Sequence, residues 1–203
     1  MRYIWSVSLL VAVLLGNVLY IFQDTWFFDR QFVQLWSYQR QSSVMYEAQI
    51  LMDYRRNDDV LVASDVYTQA EKEHLYDVKE ILSVVRYMLL AACLWLLVLG
   101  GLLYRKWFAL WRLLHSFGVM VVWFVLFAVL LGLGAWLWWD GLFDVFHRLL
   151  FVDNWLFPAD SFLIQSYPWQ FFRNAMVVIL FRSIVMLLVT SFLLLALGWM
   201  MRK

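Results

Sequence analysis

Four long runs of apolar residues alternate with more polar stretches along the chain. The runs cover residues 3–22, 84–104, 117–139 and 175–201. Each supplies roughly the 20 mainly apolar residues that a helix needs to cross a hydrocarbon layer about 30 Å thick. Lipid cannot hydrogen-bond to an open backbone, so a crossing segment must be helical. The pattern therefore predicts an all-α membrane protein with four transmembrane helices.

The first run could instead be a cleaved signal peptide. Its apolar stretch is long for that purpose, and residues 23–26 (Gln-Asp-Thr-Trp) do not form a small-residue cleavage site. The sequence favours an uncleaved membrane anchor.

Charge predicts the orientation of the four runs. Arg105, Lys106 and Arg112 lie in the short stretch 105–116 without any acid, and positive residues in short loops stay in the cytoplasm. Both ends of the chain are also basic. All 15 acidic residues lie elsewhere: eleven in residues 23–83 and four in residues 140–174. We expect cytoplasmic termini, a cytoplasmic loop at 105–116 and two extracytoplasmic, mostly helical loops in one membrane domain, 1–203.

The amino-acid composition argues against several classes of function. Hydrophobic residues make up 65% of the chain and charged residues 15%, whereas soluble domains are typically about a quarter charged. A net charge of +1 gives no reason to expect a nucleic-acid partner. Cys93 is the single cysteine, which excludes an internal disulfide and dithiol redox chemistry. The halves of the chain show no repeat, which disfavours an inverted-repeat transporter.

Both predicted outer loops contain helix signals. Thr68 and Glu71 have the spacing of a capping box, and the helix that follows is expected to continue into the second span. In the second loop, residues 142–151 are apolar apart from a narrow polar stripe that holds Asp144, His147 and Arg148. This pattern predicts an amphipathic helix at the membrane interface.

Two of the three histidines, His74 and His147, lie in these outer loops near a span boundary, whereas His115 lies among the basic residues of the cytoplasmic loop. Titratable groups at this depth are costly and often functional, although plain interfacial histidines remain the alternative. Neighbouring carboxylates could orient the imidazoles. The candidates are Glu71 and Asp77 for His74, and Asp144 or Asp153 for His147.

Other readings stay open at this point. Two histidines with carboxylates could bind zinc in a metal-dependent hydrolase, but no compact ligand motif such as His-Glu-x-x-His is present, so metal is the weaker reading. A non-enzymatic assembly or interaction protein is another class. Arg182, inside the fourth run, could bond carbonyl oxygens of a lipid or pair with an outer-loop carboxylate.

Two passages resemble a known family. They are residues 71–79 (EKEHLYDVK) and residues 146–158, with FHRLLF followed by DNWLFP, completed by Tyr167-Pro168. With the four-span layout they resemble the bacterial lipoprotein intramolecular transacylases. Leu75, Leu150 and Tyr167 depart from the family pattern, but these are apolar or aromatic exchanges.

The resemblance implies a function and a site. It implies an acyltransferase of the bacterial cytoplasmic membrane that needs no cofactor and uses His74 and His147 as its essential residues, with Trp155 in the second motif. The substrate would be a diacylglyceryl-modified lipoprotein, whose sn-2 acyl chain moves to the cysteine α-amine. The product would be an N-acyl, S-monoacylglyceryl (lyso-form) lipoprotein, and an imidazole titrates in the range needed to deprotonate an amine.

Overall fold

The computed structural model describes residues 2–36, 67–104, 107–151 and 155–200. Over these residues the secondary structure is helical, without a strand. The helices, in chain order, are α1 (Arg2–Gln23), α2 (Thr25–Trp36), α3 (Gln69–Tyr104), α4 (Trp107–Leu137), α5 (Trp139–Leu150), α6 (Phe162–Ser166) and α7 (Trp169–Met200).

Four of these helices are long and apolar enough to cross a membrane. The qualifying segments are Tyr3–Gln23, Gln69–Leu102, Leu114–Leu137 and Trp169–Ala196. Their large apolar side chains are widely exposed, as Leu97 at 73% and Trp136 at 76% illustrate. Surfaces this apolar are not tolerated in water but suit lipid. The predicted all-α membrane fold with four spans is confirmed.

Two helix starts differ from the predicted span limits. Helix α4 already begins at Trp107, although residues 105–116 were predicted as a loop. The stretch from Trp107 to Ser116 has no glycine or proline, so its sequence contains no helix breaker, and basic residues are compatible with a helix. Helix α7 begins at Trp169, directly after Pro168, because proline is tolerated only at the start of a helix.

The chain divides into two compact units. The first, called here the span unit, comprises Met1–Tyr20, Val84–Leu137 and Val177–Lys203. The second, called the loop unit, comprises Ile21–Ser83 and Trp138–Met176. The single membrane domain expected from the sequence stays a prediction.

Inside the span unit, neutral polar side chains hold helices together. Ser6 Oγ of α1 lies 3.0 Å from Ser116 Oγ of α4, and both serines are buried. Asn17 of α1 donates through Nδ2 to Ser183 Oγ of α7 at 3.2 Å. Buried hydrogen bonds of this kind join helices in membranes, where apolar burial against lipid supplies no driving force.

Aromatic packing dominates the loop unit. Phe27 and Phe28 of α2 are buried and contact the Phe171 ring of α7, with ring centroids 5.7 and 5.1 Å apart. Asn174 Nδ2 donates to Gln31 Oε1 at 2.7 Å beside this cluster. The aromatic face of α2 therefore holds that helix against the start of α7.

Glu71 fixes the start of α3 and ties it to a distant segment. Its Oε2 accepts hydrogen bonds from the Thr68 amide at 2.7 Å and from the Thr68 hydroxyl at 2.8 Å. Thr68 Oγ1 lies 3.3 Å from the Glu71 amide, which completes the predicted capping box. The other oxygen, Oε1, accepts from the Leu163 amide of α6 at 2.8 Å. Helix α3 then continues without a break to Tyr104, as predicted.

Candidate active site

Helix α5 displays a stripe of rings on one face. Trp139, Phe143 and His147 are spaced four residues apart, which places them on adjacent turns of the same face. The ring centroids of Phe143 and His147 lie 4.0 Å apart. Asp140 in the first turn and Arg148 in the last suit the helix dipole. The predicted helix in this loop is present, and His147 is its buried residue.

The tautomer of His147 follows from one hydrogen bond. Its Nδ1 lies 2.8 Å from the backbone carbonyl oxygen of Phe143. A carbonyl oxygen only accepts, so Nδ1 must carry the hydrogen and donate it. In the neutral ring Nε2 then holds the lone pair, which makes it the atom that can accept a proton.

The surroundings of His147 favour the neutral ring. Burial lowers the pKa of His147 below its ordinary value of 6.5, against smaller raising effects from the Phe143 hydrogen bond and the Asp144 charge. A histidine with a lowered pKa is uncharged at neutral pH. His147 therefore presents a free basic nitrogen under physiological conditions.

The structure brings His74 beside His147. His74, on α3, is 8% exposed, and the two imidazole centroids lie 6.3 Å apart with ring planes inclined by 20°. A ring nitrogen forms hydrogen bonds of about 2.8–3.0 Å. The two rings are therefore too far apart to hydrogen-bond to each other, and their separation is compatible with a bound group that contacts both. The two predicted histidines form one pair although 73 residues separate them in the sequence.

Aromatic rings enclose this pair. Phe151 contacts both histidines, with centroid distances of 4.6 Å to His74 and 5.5 Å to His147. Phe157 lies 5.4 Å from His74, and Trp155 lies 5.5 Å from His147 at an angle of 29°. The rings pack against the imidazoles, and little of either histidine is exposed. The predicted site residue Trp155 is thus in contact with His147.

The carboxylates predicted to orient His74 do not do so. Glu71 is buried, and its hydrogen bonds go to Thr68 and Leu163 rather than to the imidazole. Asp77 is exposed, and within the part of the chain that the structure describes it forms no hydrogen bond or ion pair. The i, i+3 spacing brought these residues near His74 on the helix, but their side chains are directed elsewhere.

The charged residues near His147 form a separate arrangement. Asp144 Oδ2 lies 2.8 Å from Arg148 Nε, in a pair that is largely exposed. The Arg148 guanidinium also lies 5.9 Å from the Trp155 ring centroid. Asp144 therefore acts on His147 through its charge rather than through a hydrogen bond. Asp153 lies outside the described residues, and Arg182 belongs to the span unit.

The described residues bring no set of three His, Cys, Asp or Glu side chains close enough to hold a metal ion. The two histidines are instead surrounded by rings. This arrangement suits proton transfer by imidazole in a site of low water content.

Sequence reasoning did not single out Phe143 and Phe151. Phe143 precedes His147 by four residues and supplies the carbonyl that sets its tautomer, while Phe151 follows by four residues and contacts both histidines. The spacing of four places Phe143 and His147 on one helical face, which is the signal that could have identified Phe143, whereas Phe151 lies just beyond the helix with an extended backbone.

Comparison with known proteins identifies the family. A family model described as lipoprotein intramolecular transacylase Lit matches residues 3–172. No curated protein matches the chain in sequence.

Solved structures of the membrane integral lipoprotein intramolecular transacylase Lit from Bacillus cereus share this fold. One has a TM-score of 0.76 at 18% identity and covers 98% of this chain and 96% of its own. A variant with a histidine replaced by alanine has a TM-score of 0.74 at 18% identity, covering 99% and 93%. A variant with a histidine replaced by arginine has a TM-score of 0.70 at 17% identity, covering 98% and 92%.

The family match extends over most of the chain, from the first span to the start of the last, and includes both histidine motifs. The resemblance noted from those motifs is confirmed: this chain belongs to the lipoprotein intramolecular transacylase family, and it is an acyltransferase integral to the membrane.

Proposed function

We propose that the chain moves the sn-2 acyl chain of a diacylglyceryl-modified cysteine to the α-amine of the same cysteine, with His147 as general base and His74 as hydrogen-bond donor. The observation that carries this assignment is the buried pair of imidazoles, 6.3 Å apart, in which His147 has a defined tautomer.

His147 is suited to be the base. Nδ1 donates its hydrogen bond to the Phe143 carbonyl, so Nε2 is the nitrogen that receives the proton. Burial lowers the pKa of His147 and keeps the ring neutral. An α-amine has a pKa of about 7.7–8.0 and must lose a proton as it attacks an ester. After accepting that proton, the same nitrogen can return it to the leaving oxygen.

His74 is suited to stabilise developing negative charge. It lies almost parallel to His147 and is enclosed by Phe151 and Phe157. A hydrogen bond to an oxyanion is strongest where water is excluded. We assign to His74 the hydrogen bond to the carbonyl oxygen of the ester, which becomes negatively charged in the transition state.

The step conserves protons and requires no second lipid. The amine nitrogen forms a bond to the sn-2 carbonyl carbon, and the bond from that carbon to the glycerol oxygen breaks. The amine proton passes to His147 Nε2 and from there to the glycerol oxygen. Because nucleophile and ester belong to one molecule, holding them in contact can supply an effective molarity of order 10⁵ M or more.

The neighbouring residues would act through the histidines. Trp155 and Phe151 hold the imidazole planes, and Asp144 and Arg148 form an exposed pair at the rim. Glu71 would act indirectly, by fixing the start of the helix that carries His74. Asp77 and Asp153 remain predicted supporting residues without a contact that supports a role.

Sidedness follows from charge. Arg105, Lys106 and Arg112 lie between the second and third spans, which the positive-inside rule assigns to the cytoplasm, whereas all acidic residues lie in the loop unit. We propose cytoplasmic termini and a site on the extracytoplasmic face, where lipid-anchored lipoproteins reside. Membrane lipid and the lipoprotein peptide would be its partners.

The test uses purified protein in lipid nanodiscs and a synthetic diacylglyceryl-cysteinyl peptide. Substrate and product are isomers, so fragmentation mass spectrometry must locate the acyl chain on nitrogen or on oxygen. Mild alkali gives a second readout, because it releases ester-linked chains but not amide-linked ones. We expect one alkali-stable chain per peptide with the native protein. Transfer that persists undiminished in both the His74→Ala and His147→Ala variants would overturn the assignment.

A further inference from the structure

The span unit contains cations but no acid. Every one of the 15 acidic residues lies in Ile21–Ser83 or Trp138–Met176, the segments of the loop unit. Arg182 nevertheless lies inside the candidate span Trp169–Ala196. A charged side chain within a membrane is costly and needs a polar partner. No carboxylate of its own unit can be that partner.

The groups that contact Arg182 are neutral. Its Nε donates to Asn17 Oδ1 at 3.2 Å, and its Cζ lies 3.9 Å from the centroid of the Tyr20 ring. Asn17 is itself fixed, since its Nδ2 donates to the Val13 carbonyl at 2.9 Å and to Ser183 Oγ at 3.2 Å. Asn17 and Tyr20 thus orient the guanidinium without neutralising it.

Most of the hydrogen-bonding capacity of Arg182 is unused. A guanidinium has five N–H donors, and the described residues accept a hydrogen bond only from Nε. The side chain is half-buried, so Arg182 is not fully enclosed by its own unit. An arginine held in this way forms hydrogen bonds to a group that offers one or two oxygen acceptors.

The level of the guanidinium indicates which oxygens it can reach. Asn17 and Tyr20 precede the end of α1 at Gln23 by six and three residues. At 1.5 Å per residue this is roughly 5–9 Å below the end of the helix. With the end of α1 taken as the membrane surface, this is the depth at which the headgroup region gives way to hydrocarbon. Glyceryl esters lie at that level, and their carbonyl oxygens are hydrogen-bond acceptors.

We propose that Arg182, oriented by Asn17 and Tyr20, is a binding site for the ester carbonyl oxygens of a diacylglyceryl lipid. The site binds and makes or breaks no bond. The diacylglyceryl group of the substrate carries these esters, and so does a diester phospholipid of the bilayer. The first occupant rests on the proposed function, and the second does not.

The test compares ester and ether ligands. The probe is a diacylglyceryl-cysteinyl peptide with an acetylated amine, which cannot undergo transfer whichever residues are catalytic, and its matched analogue has dialkyl ethers in place of the esters. Dissociation constants are measured in nanodiscs of diether phospholipid, which has no carbonyl groups. We expect Arg182→Met to weaken binding of the ester peptide by about 10- to 100-fold and binding of the ether peptide less than about twofold.

Two further variants sharpen the result. Arg182→Lys keeps a donor and should restore part of the ester preference, whereas Arg86→Met, at an exposed arginine of the span unit, should leave both constants unchanged. Equal weakening of both peptides by Arg182→Met would overturn the assignment of the substrate esters to this site.

A second arm identifies the occupant. Native mass spectrometry compares the diester and diether phospholipids retained by the protein and by Arg182→Met. If the peptide shows no ester preference but the native protein retains diester phospholipid in an Arg182-dependent way, the ester site stands and bulk lipid fills it. If neither the peptide nor the phospholipid measurement shows an ester preference, the proposal is overturned. Because the probe has no free amine, this result is independent of the roles of His74 and His147.

Discussion

The two units of the chain differ in the kind of polar residue that they bury. The loop unit contains all the acidic residues, and among those that the structure describes Glu71 is buried and accepts three hydrogen bonds. The span unit contains no acid, and its buried polar residues are small and neutral, as in the Ser6–Ser116 pair. One unit therefore holds the two buried histidines together with the acidic residues, and the other exposes long apolar helices suited to lipid.

The comparison also separates two meanings of a polar residue inside an apolar region. In the loop unit, buried His74 and His147 lie among aromatic rings and face one another. In the span unit, Asn17 and Ser183 are equally buried but bond to each other. Polar groups that complete one another hold helices together, whereas a pair of titratable rings in an aromatic enclosure is suited to chemistry.

The largest expected effect tests whether the chemistry belongs to the loop unit alone. His147→Ala should reduce the rate of acyl transfer about 10²- to 10⁴-fold, the range that general-base catalysis supplies. The rate is measured by the appearance of the alkali-stable acyl chain. His115→Ala, at an exposed histidine of the span unit, is the matched control and should retain the full rate. A comparable loss of rate in His115→Ala would contradict the assignment of the chemistry to the loop unit alone.

A smaller effect is expected at the carboxylate that anchors α3. Glu71→Ala removes the acceptor of three hydrogen bonds, and we expect a loss of about 2–3 kcal/mol in stability. For a chain of this size that corresponds to a fall in Tm of about 5–10 °C in detergent. The exposed Glu73, on the same helix, gives the control: Glu73→Ala should change Tm by about 1–2 °C at most. Equal changes in Tm for the two variants would contradict the anchoring role of Glu71.

A still smaller effect should appear in the pH profile. The rate should rise with pH through the lowered pKa of His147, because only the neutral ring accepts a proton. The Asp144 charge favours the protonated ring and so raises this pKa, against the larger effect of burial. Asp144→Asn should therefore move the acid limb of the profile to lower pH.

Measurement of kcat/KM against pH checks this direction. Asp140→Asn, two helical turns from His147, is the control and should leave the acid limb in place. A shift of the Asp144→Asn profile to higher pH would exclude His147 as the titrating base.

The smallest expected effect concerns the span unit. Ser6→Ala and Ser116→Ala should each lower stability by about 0.5–1 kcal/mol, and the double variant by less than the sum, because the two hydroxyls are in contact. Thermal unfolding in detergent measures the change. Ser8→Ala is the control, since Ser8 is half-buried and its hydroxyl bonds within its own helix to the Ile4 carbonyl. Acyl transfer should stay near the native rate in all of these variants.

Much of the fold was predictable because the apolar runs are long and charge is absent from their centres. The continuous helix from Gln69 was also predictable, because its capping residues are three positions apart in the sequence. The start of α4 was not, because the basic residues of 105–116 indicate a side of the membrane and do not show where the backbone stops being helical.

The candidate site was predictable in its residues more than in its roles. His74 and His147 could be identified by topology and by motif. The tautomer of His147 depends on the backbone carbonyl of Phe143, and the pattern of side chains in a sequence does not show which backbone carbonyl accepts a hydrogen bond. The role expected for Glu71 at His74 failed for a related reason: local spacing describes one helix, whereas its third donor, the Leu163 amide, is 92 residues away.

That last hydrogen bond has a consequence for biogenesis. The carboxylate that anchors α3 requires an amide that the ribosome adds 92 residues later. His147 and its surrounding rings are also synthesised long after His74. A nascent chain that has inserted only its first two spans lacks both His147 and the Leu163 amide. Under the proposed mechanism, a chain truncated before these residues should not transfer an acyl group.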